Sequence, residues 1–422
     1  MATLKEVIIP ERKGLDAYTE FAGDRIGYLK ERAEALRPLS ILHINATPLG
    51  GGVAEMLGSQ VWLERDLGLN SHWFTVNASP PFFAVTKKIH NLLQGRPGVL
   101  EEREWDLYRS VNRELIHALD DIIPDESAIV VVHDPQPAPL TEHRGGRTPT
   151  LLRMHIDLST PNATTLELLK PYLQAAGRVI LSSEAYTTAM PWLDKERIAI
   201  SYPAIDPFTE KNVPMKERQA WIILESFGVS PAKPLISQIS RFDPWKDPLG
   251  VIKAYYLAKK DVPDLQLLMV GFIVAQDDPE AISVFEEVQR HALGDPDIHV
   301  FADPTRLRDI SNDLFVSAAY TASMAVLQKS VREGFGLTIT EAMWKSRPVI
   351  VGETVGTTIQ VDDGENGIVV SSPEEAAEAI VRLHSDPGLR EKMGTVGRAT
   401  VTERFLMPRL IEDFLGLYEA VR

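Results

Sequence analysis

Between Ser330 and Ile350 an arginine, two glutamates and a Gly-Phe-Gly turn fall within one strand-to-helix passage, SVREGFGLTITEAMWKSRPVI. Gly334, Phe335 and Gly336 would free backbone N–H groups at the start of a helix beginning near Thr338. A helix end that presents its amides attracts anions such as a diphosphate. Glu333 and Glu341 have seven residues between them. One carboxylate then lies before the turn and the other about one turn into the helix, so both can flank a ligand whose phosphates rest on the helix end. One could take sugar hydroxyls and the other ribose hydroxyls, a division that suits a nucleotide-sugar. Glycine turns before helices and surface glutamates are also common in their own right, so the rest of the chain has to decide.

ISRFDPWKDP sets Arg241 and Lys246 after a strand and before a helix starting near Leu249. Ligands of open α/β sheets bind beyond the carboxyl ends of the strands, where a guanidinium and an ammonium would meet a pyrophosphate. The alternative is a solvated loop with ordinary surface cations. Earlier in the chain, Gly50, Gly51 and Gly52 follow one strand and precede a helix containing Val53 to Leu63. This is neither a GxGxxG fingerprint nor a P-loop, but it lets a ligand approach the backbone or serves as a flexible turn. VVHDPQP places His133, Asp134 and Gln136 after a second strand, and RMHIDLSTPN places Arg153, His155 and Asp157 along a third. Paired donors and acceptors of this kind suit a ligand rich in hydroxyls, which are costly to bury unpaired. A lone strand histidine is more often a satisfied core residue, and that reading stays open for His133 and His155. Asp295-Pro296-Asp297 mimics a metal-binding pair, but its proline and the adjacent Gly294 read as a turn, so no metal site is expected.

Short apolar runs alternating with helical stretches must position these residues. The runs Ile41–Ile44, Trp73–Val76, Ala128–Val132, Leu151–His155 and Val179–Leu181 form one series. A second comprises Leu235–Ile239, Leu267–Val270, His299–Phe301, Met324–Leu327, Pro348–Val351 and Ile368–Val370. Both patterns indicate βαβ units and parallel sheets. Ahead of them a strand is expected at Val7–Pro10 and an amphipathic helix around Asp16 to Leu36. Two α/β domains follow from the length of 422 residues, since single cores stop growing well below that size. The first is expected at 1–205 and the second at 206–407, joined by the Pro-punctuated segment Ser201–Pro214. A last helix at 408–422 carries an apolar stripe of Leu410, Phe414, Leu417 and Tyr418.

Composition narrows the function classes. No cysteine occurs, which excludes disulfides, thiolate nucleophiles and cysteine-ligated zinc. A formal net charge of −15 argues against nucleic-acid and anionic-membrane partners. No apolar run is long enough to span a bilayer and the N-terminus lacks a secretory pattern, so a cytoplasmic protein is expected. The sequons at Asn45, Asn77 and Asn162 are then chance matches.

Taken together, these residues resemble the retaining glycosyltransferases of family 4, over almost the whole chain. The family-wide motifs are Glu333 with Glu341 and the Arg241/Lys246 pair. The longer strings HINATPLGGGVAEML, VHDPQPAPL, HIDLSTPN, SRFDPWK and REGFGLTITEAMWK are more specific, and are similar to the trehalose glycosyltransferring synthases within it. The resemblance implies an α/β GT-B fold, two Rossmann-like domains facing a central cleft, with the last helix packing back on the first. It implies that Arg241 and Lys246 bind the donor diphosphate, assisted by amides of Gly334, Phe335, Gly336, Leu337 and Thr338. Glu333 would contact donor-sugar hydroxyls and Glu341 the ribose. His155 would sit by the reacting sugar, with Gly51, Gly52, Asp134, Gln136 and Asp157 shaping the acceptor side. The substrates implied are a nucleoside diphosphate glucose and free glucose, with no cofactor and no required metal; a homodimer stays open.

Two departures bear on donor selection. Val355-Gly356-Thr357-Thr358-Ile359 stands where relatives usually have a Gly-Gly-Ile turn, and Asp247 follows the Trp-Lys pair where glycine is common. The donor base, and the choice between front-face transfer and two inversions through a carboxylate nucleophile, are left open. A retaining trehalose phosphorylase and a non-catalytic sugar- or nucleotide-binding protein remain as alternatives.

Overall fold

The short apolar runs become the buried strands of two mostly parallel sheets. In the computed structural model, which describes residues 1–49, 51–123, 128–272 and 281–422, the chain divides into two compact units. The first holds Met1–Ala204 and Met407–Arg422, and the second the described residues from Ile205 to Leu406.

The first unit is built on strands β1 (Thr3–Glu6), β2 (Ser40–Asn45), β3 (Asn70–Asn77), β4 (Ala128–His133), β5 (Thr150–Arg153), β6 (Arg178–Leu181) and β7 (Ile198–Ile200). Their order is β1-β3-β2-β4-β5-β6-β7, and every pairing is parallel except the edge pairing of β1 with β3. All six residues of β4, AIVVVH, are buried, as expected for a strand covered on both faces. From β2 the chain steps to β3 on one side and then crosses to β4 on the other. The switch point of this sheet therefore lies between β2 and β4, the place where open α/β sheets bind ligands.

The second unit contains β8 (Leu235–Ile239), β9 (Gln266–Val270), β10 (Ile298–Phe301), β11 (Ala325–Gln328), β12 (Val349–Gly352) and β13 (Ile368–Val370). They are all parallel, in the order β10-β9-β8-β11-β12-β13. This is the dinucleotide-fold order, with its switch point between β8 and β11. Ile236, Leu267, Met269, Leu327 and Ile350 from the sheet pack with Val251, Tyr255, Ile380 and Leu383 from covering helices. Each such side chain contributes about 1.5–3 kcal/mol by leaving water.

Three expectations about local structure are corrected. The first strand is Thr3–Glu6, not Val7–Pro10. Val7 only closes the ladder with one N–H bond to the Trp73 carbonyl at 2.8 Å, and Ile9 packs on Leu57, Val61 and Trp73, so that apolar run signalled burial and not pairing. The long helix expected over Asp16–Leu36 is a 3-10 turn Leu15–Tyr18, a short helix Thr19–Ala22 and a helix Arg25–Glu34. Gly23 breaks it, with φ 51°, a conformation glycine reaches without the Cβ penalty. The strand expected to run to His155 ends at Arg153, because the His155 N–H turns away to the Asp134 carboxylate at 2.8 Å.

The C-terminal helix Met407–Val421 buries Leu410, Ile411, Phe414, Leu415, Leu417 and Tyr418 against Arg25–Glu34 and Gly52–Asp66. Ser201 donates to Asp413 at 2.7 Å and Arg409 to the Pro203 carbonyl at 3.0 Å, which ties the helix to the end of the sheet. Among the described residues no helix is long and apolar enough to cross a membrane.

Candidate active site

At the switch point of the second unit, β8 leads into Arg241 and Lys246 and β11 into Lys329, Ser330 and Glu333. The Lys246 ammonium donates to Glu333 Oε2 at 2.5 Å. The same oxygen accepts from Ser330 at 3.1 Å and from Gln328 Nε2 at 3.3 Å. Gln238 holds the Lys246 carbonyl from below at 2.8 Å. Arg241, with its side chain 37% exposed, reaches Asp243 at 3.3 Å. Asp243 in turn accepts the Trp245 N–H, starting the short turn Pro244–Lys246. Both sequence-identified cations thus lie at one strand end, each paired with a carboxylate.

Gly336 precedes the helix Leu337–Trp344 with φ 87°, so the turn uses glycine for a conformation other residues resist. Gln360 fixes that turn: it donates to the Phe335 and Gly336 carbonyls at 2.5 and 3.2 Å and accepts from Thr340 at 2.6 Å. Phe335 is buried against Phe405. In the helix's first turn the Thr338 hydroxyl is buried without a protein hydrogen-bond partner. Glu341, only 2% exposed, accepts from Tyr320 at 2.8 Å and pairs with Lys211 at 2.7 Å.

The two sequence departures have physical explanations here. Asp247 adopts φ 47°, the left-handed region that aspartate tolerates better than most residues. Its side chain caps the helix Pro248–Ala258 through the Gly250 N–H at 3.1 Å and pairs with Lys329. In the Val355–Ile359 segment Gly356 is the position that requires glycine: a Cβ there would lie 2.3 Å from the Glu333 carbonyl, which accepts the Gly356 N–H at 3.2 Å. Asp295 and Asp297 are neutralised by Lys259 at 3.0 and 2.9 Å, a turn held by an ion network. Among the described residues no group of three or more His, Asp and Glu side chains is placed to hold a metal.

At the switch point of the first unit, Gly51 in extended conformation leads into the helix Gly52–Asp66; Gly50 lies outside the described residues. Asp134 turns through φ 65° and fixes the His155 backbone. Burial raises its pKa to about 7, against the hydrogen bond from His155 and the charge of Arg153. Gln136 presents a buried Oε1 without a protein partner. Asp157 is buried and accepts the Ser159 N–H at 2.8 Å. Burial holds the His133 and His155 imidazoles well below their ordinary pKa, with Arg153 adding to it, so both are neutral near pH 7. Arg153 itself is pushed down to about 9 by burial and by Arg409.

Residues 43–188 match the family model "Trehalose synthase, N-terminal domain", and residues 220–400 match "Glycosyl transferases group 1". The trehalose synthase of Rubrobacter xylanophilus is 41% identical over 97% of both chains. The chain belongs to the trehalose synthase family of glycosyltransferases. The enzyme of that name from Pyrococcus horikoshii is 40% identical over 100% of this chain and 99% of its own. Among solved structures, the UDP-forming α,α-trehalose-phosphate synthase of Burkholderia xenovorans superposes with TM-score 0.70 at 15% identity, over 90% of this chain and 98% of that one. The sucrose-phosphate synthase of Thermosynechococcus elongatus gives 0.69 at 20%, with the same coverage. The fold is therefore GT-B, and the protein is a glycosyltransferase.

Against this family background the sequence reading missed several polar residues that the fold gathers. Lys329, Gln328, Ser330 and Gln360 surround the cations and the glycine turn, and Lys211 and Tyr320 hold Glu341. Lys211 comes from the segment read as a linker, so no spacing could have linked it to Glu341. In the first unit His43 and Glu64 were overlooked. Their one signal is a charged residue at position 64 of a helix whose neighbours Leu57, Gln60, Val61 and Leu63 are all buried.

Proposed function

We propose that this glycosyltransferase moves glucose, with retention, from a nucleoside diphosphate glucose to free glucose and so forms trehalose. The observation that carries this reading is the Lys246–Glu333 pair at the switch point of the second unit, beside the helix that begins at Leu337. In the reaction the bond from the anomeric carbon to the diphosphate breaks and a bond to the acceptor oxygen forms. The acceptor proton leaves with the departing phosphate. Lys246 and Arg241 stabilise the charge that grows on that phosphate, as preorganised cations do best, and amides of Gly334 to Thr338 assist. With two cations so mounted, no metal is required.

Glu333 accepts donor-sugar hydroxyls while it orients Lys246, and Glu341 takes the ribose hydroxyls. In the first unit Gly51, Gly52, Asp134, Gln136 and Asp157 shape the acceptor side, the unpartnered Gln136 Oε1 taking a hydroxyl, and His155 contacts the reacting sugar. Relatives named trehalose synthase support the product, since they match the whole chain. Trehalose phosphorylase of Pleurotus pulmonarius is only 26% identical and shares 55% of its own length.

The test is a matrix of uridine and adenosine diphosphate glucose against sugar acceptors, with the product identified by proton NMR. A single small-coupling anomeric signal in a non-reducing disaccharide is expected. Transfer only to a sugar phosphate, or trehalose cleavage supported by inorganic phosphate and by no nucleoside diphosphate, would overturn the assignment.

A further inference from the structure

Three adjacent strands of the first unit each deliver a histidine to one hydrogen-bonded row. His43 on β2 meets His133 on β4, Nδ1 to Nε2, at 3.1 Å. His133 meets His155 beyond β5, again Nδ1 to Nε2, at 3.0 Å. The rings overlap in the same sense, with centroids 5.4 and 5.3 Å apart and interplanar angles of 28° and 19°. The row starts on a fully buried carboxylate: His43 Nε2 lies 3.1 Å from Glu64 Oε2. Glu64 also accepts from Ser71 at 2.5 Å, Tyr418 at 2.7 Å and Gln60 at 3.0 Å.

Three side chains besides His43 donate to Glu64. Burial alone would raise its pKa, but the charge and hydrogen bond of His43, with the hydrogen bonds of Ser71 and Tyr418, outweigh this and lower it, so Glu64 is a carboxylate near pH 7 and accepts from His43 Nε2. A buried carboxylate is tolerated when a counter-charge is paired with it, and His43 is the titratable group in contact. Two proton arrangements satisfy the row: a neutral His43 with its proton on Nε2 makes each later link run from an Nε2–H back to an Nδ1, whereas an imidazolium donates from Nε2 to Glu64 and from Nδ1 to His133 Nε2. In the second arrangement, the one that supplies Glu64 with a counter-charge, His133 carries its one proton on Nδ1 and donates it to His155 Nε2. His155 is then a neutral imidazole whose proton sits on Nδ1, the nitrogen away from the row.

We propose that the buried Glu64–His43 ion pair, acting through His133, is a positioning device that locks His155 as an Nδ1–H donor toward an oxygen of the reacting sugar. Glu64, His43 and His133 act through His155 and are not themselves catalytic. The lock matters because a ring of the opposite tautomer presents a lone pair, which can accept from a hydroxyl but can donate nothing to a sugar oxygen that needs a donor. The inference rests on the role proposed above for His155, but its central claim concerns a proton position that can be read without turnover.

The experiment is a heteronuclear NMR spectrum of the full chain labelled at histidine with 13C and 15N, whose ring shifts report tautomer and charge. In the wild type His43 should be doubly protonated, and His133 and His155 neutral with Nδ1–H. An Nε2–H signal for His155 overturns the proposal, and this reading needs no variant to fold. In Glu64→Gln the amide fills the same space and can donate or accept at His43, so His43 should lose its charge and His155 should spread over both tautomers. Turnover should then fall about threefold or more, with KM within about twofold. A folded Glu64→Gln protein with an unmoved His155 signal overturns the lock, and a moved signal with unchanged turnover overturns its part in the reaction. A wild type inactive with every donor defeats the proposed function instead, while the spectra still decide the lock.

Discussion

The switch points of the two sheets share a topology and differ in chemistry. In the second unit the strand ends are ionic: Lys246 faces Glu333 and Lys329 faces Asp247, and a helix starts beside them. In the first unit the strand ends carry neutral imidazoles and an unpartnered amide oxygen, with the hydrogen-bonded pair Glu64–His43 buried at the start of the row. Charged groups suit a diphosphate, whose charge grows as it leaves. Neutral donors and acceptors suit sugar hydroxyls, which bring no charge of their own to be matched. Under the proposed function, the same α/β frame serves two ligand classes through the residues placed at its strand ends.

Removing a cation from the ionic switch point should have the strongest consequence. Lys246→Ala is expected to lower turnover by roughly tenfold to a hundredfold, since a charge-assisted contact to the leaving group is worth about 1.5–3 kcal/mol. Initial rates with saturating donor measure it, and wild-type turnover would end the phosphate assignment. Gly356→Ala pushes a methyl group onto the Glu333 carbonyl and should cost about 1–3 kcal/mol. A melt should then show a drop of about 2–4 °C per kcal/mol, together with lost turnover. An unchanged melt would mean that the Glu333–Gly336 turn yields readily.

The two glutamates should separate by calorimetry with free nucleoside diphosphate. Glu341→Gln is expected to weaken binding about fivefold to tenfold, because the amide keeps one acceptor oxygen but loses the charge, while Glu333→Gln leaves binding within about twofold and slows transfer. Equal affinity losses would dissolve the division of roles.

At the neutral switch point the expected effect is on pH dependence. Asp134 has its folded pKa raised to about 7, so the folded state holds a proton that the unfolded state has released above its ordinary pKa of about 3.9. Its contribution to stability therefore falls as pH rises from about 4 to about 7. The depressed His133 and His155 act with the opposite sign below their ordinary range, so the variant difference is the clean measure. Asp134→Asn, which keeps an acceptor for the His155 N–H, should gain in denaturant stability relative to wild type across that window. A pH-independent difference would refute the raised pKa. The mildest expectation concerns metal: EDTA should leave most activity in place, and activity lost to chelator and restored only by a divalent ion would show that the cations do not suffice.

Both sheets, the strand-end positions of Arg241, Lys246, Glu333 and His155, and the glycine turn before Leu337 were legible in the sequence. Buried parallel strands read as apolar runs, and ligand-facing residues cluster at their ends. Val7–Pro10 misled because Ile9 is apolar for packing while its backbone pairs with no strand. The helix over Asp16–Leu36 misled because its periodic stripe runs straight through Gly23, and periodicity does not register a single residue at positive φ.

The sequence by itself determined the architecture class, the family and the local motifs, because these depend on hydrophobic period, turn chemistry and strings of neighbouring residues. Only the tertiary structure decided the partners. Lys246 meets Glu333 across 87 positions, Lys329 meets Asp247 across 82, and the row from Glu64 through His43 and His133 to His155 joins a helix to three strands. Tyr418 reaches Glu64 across 354 positions because the last helix folds into the first unit. Such contacts carry no signature in spacing. They arise when buried polar groups must find one another away from water, and which ones meet is set by how the strands are ordered in the sheet.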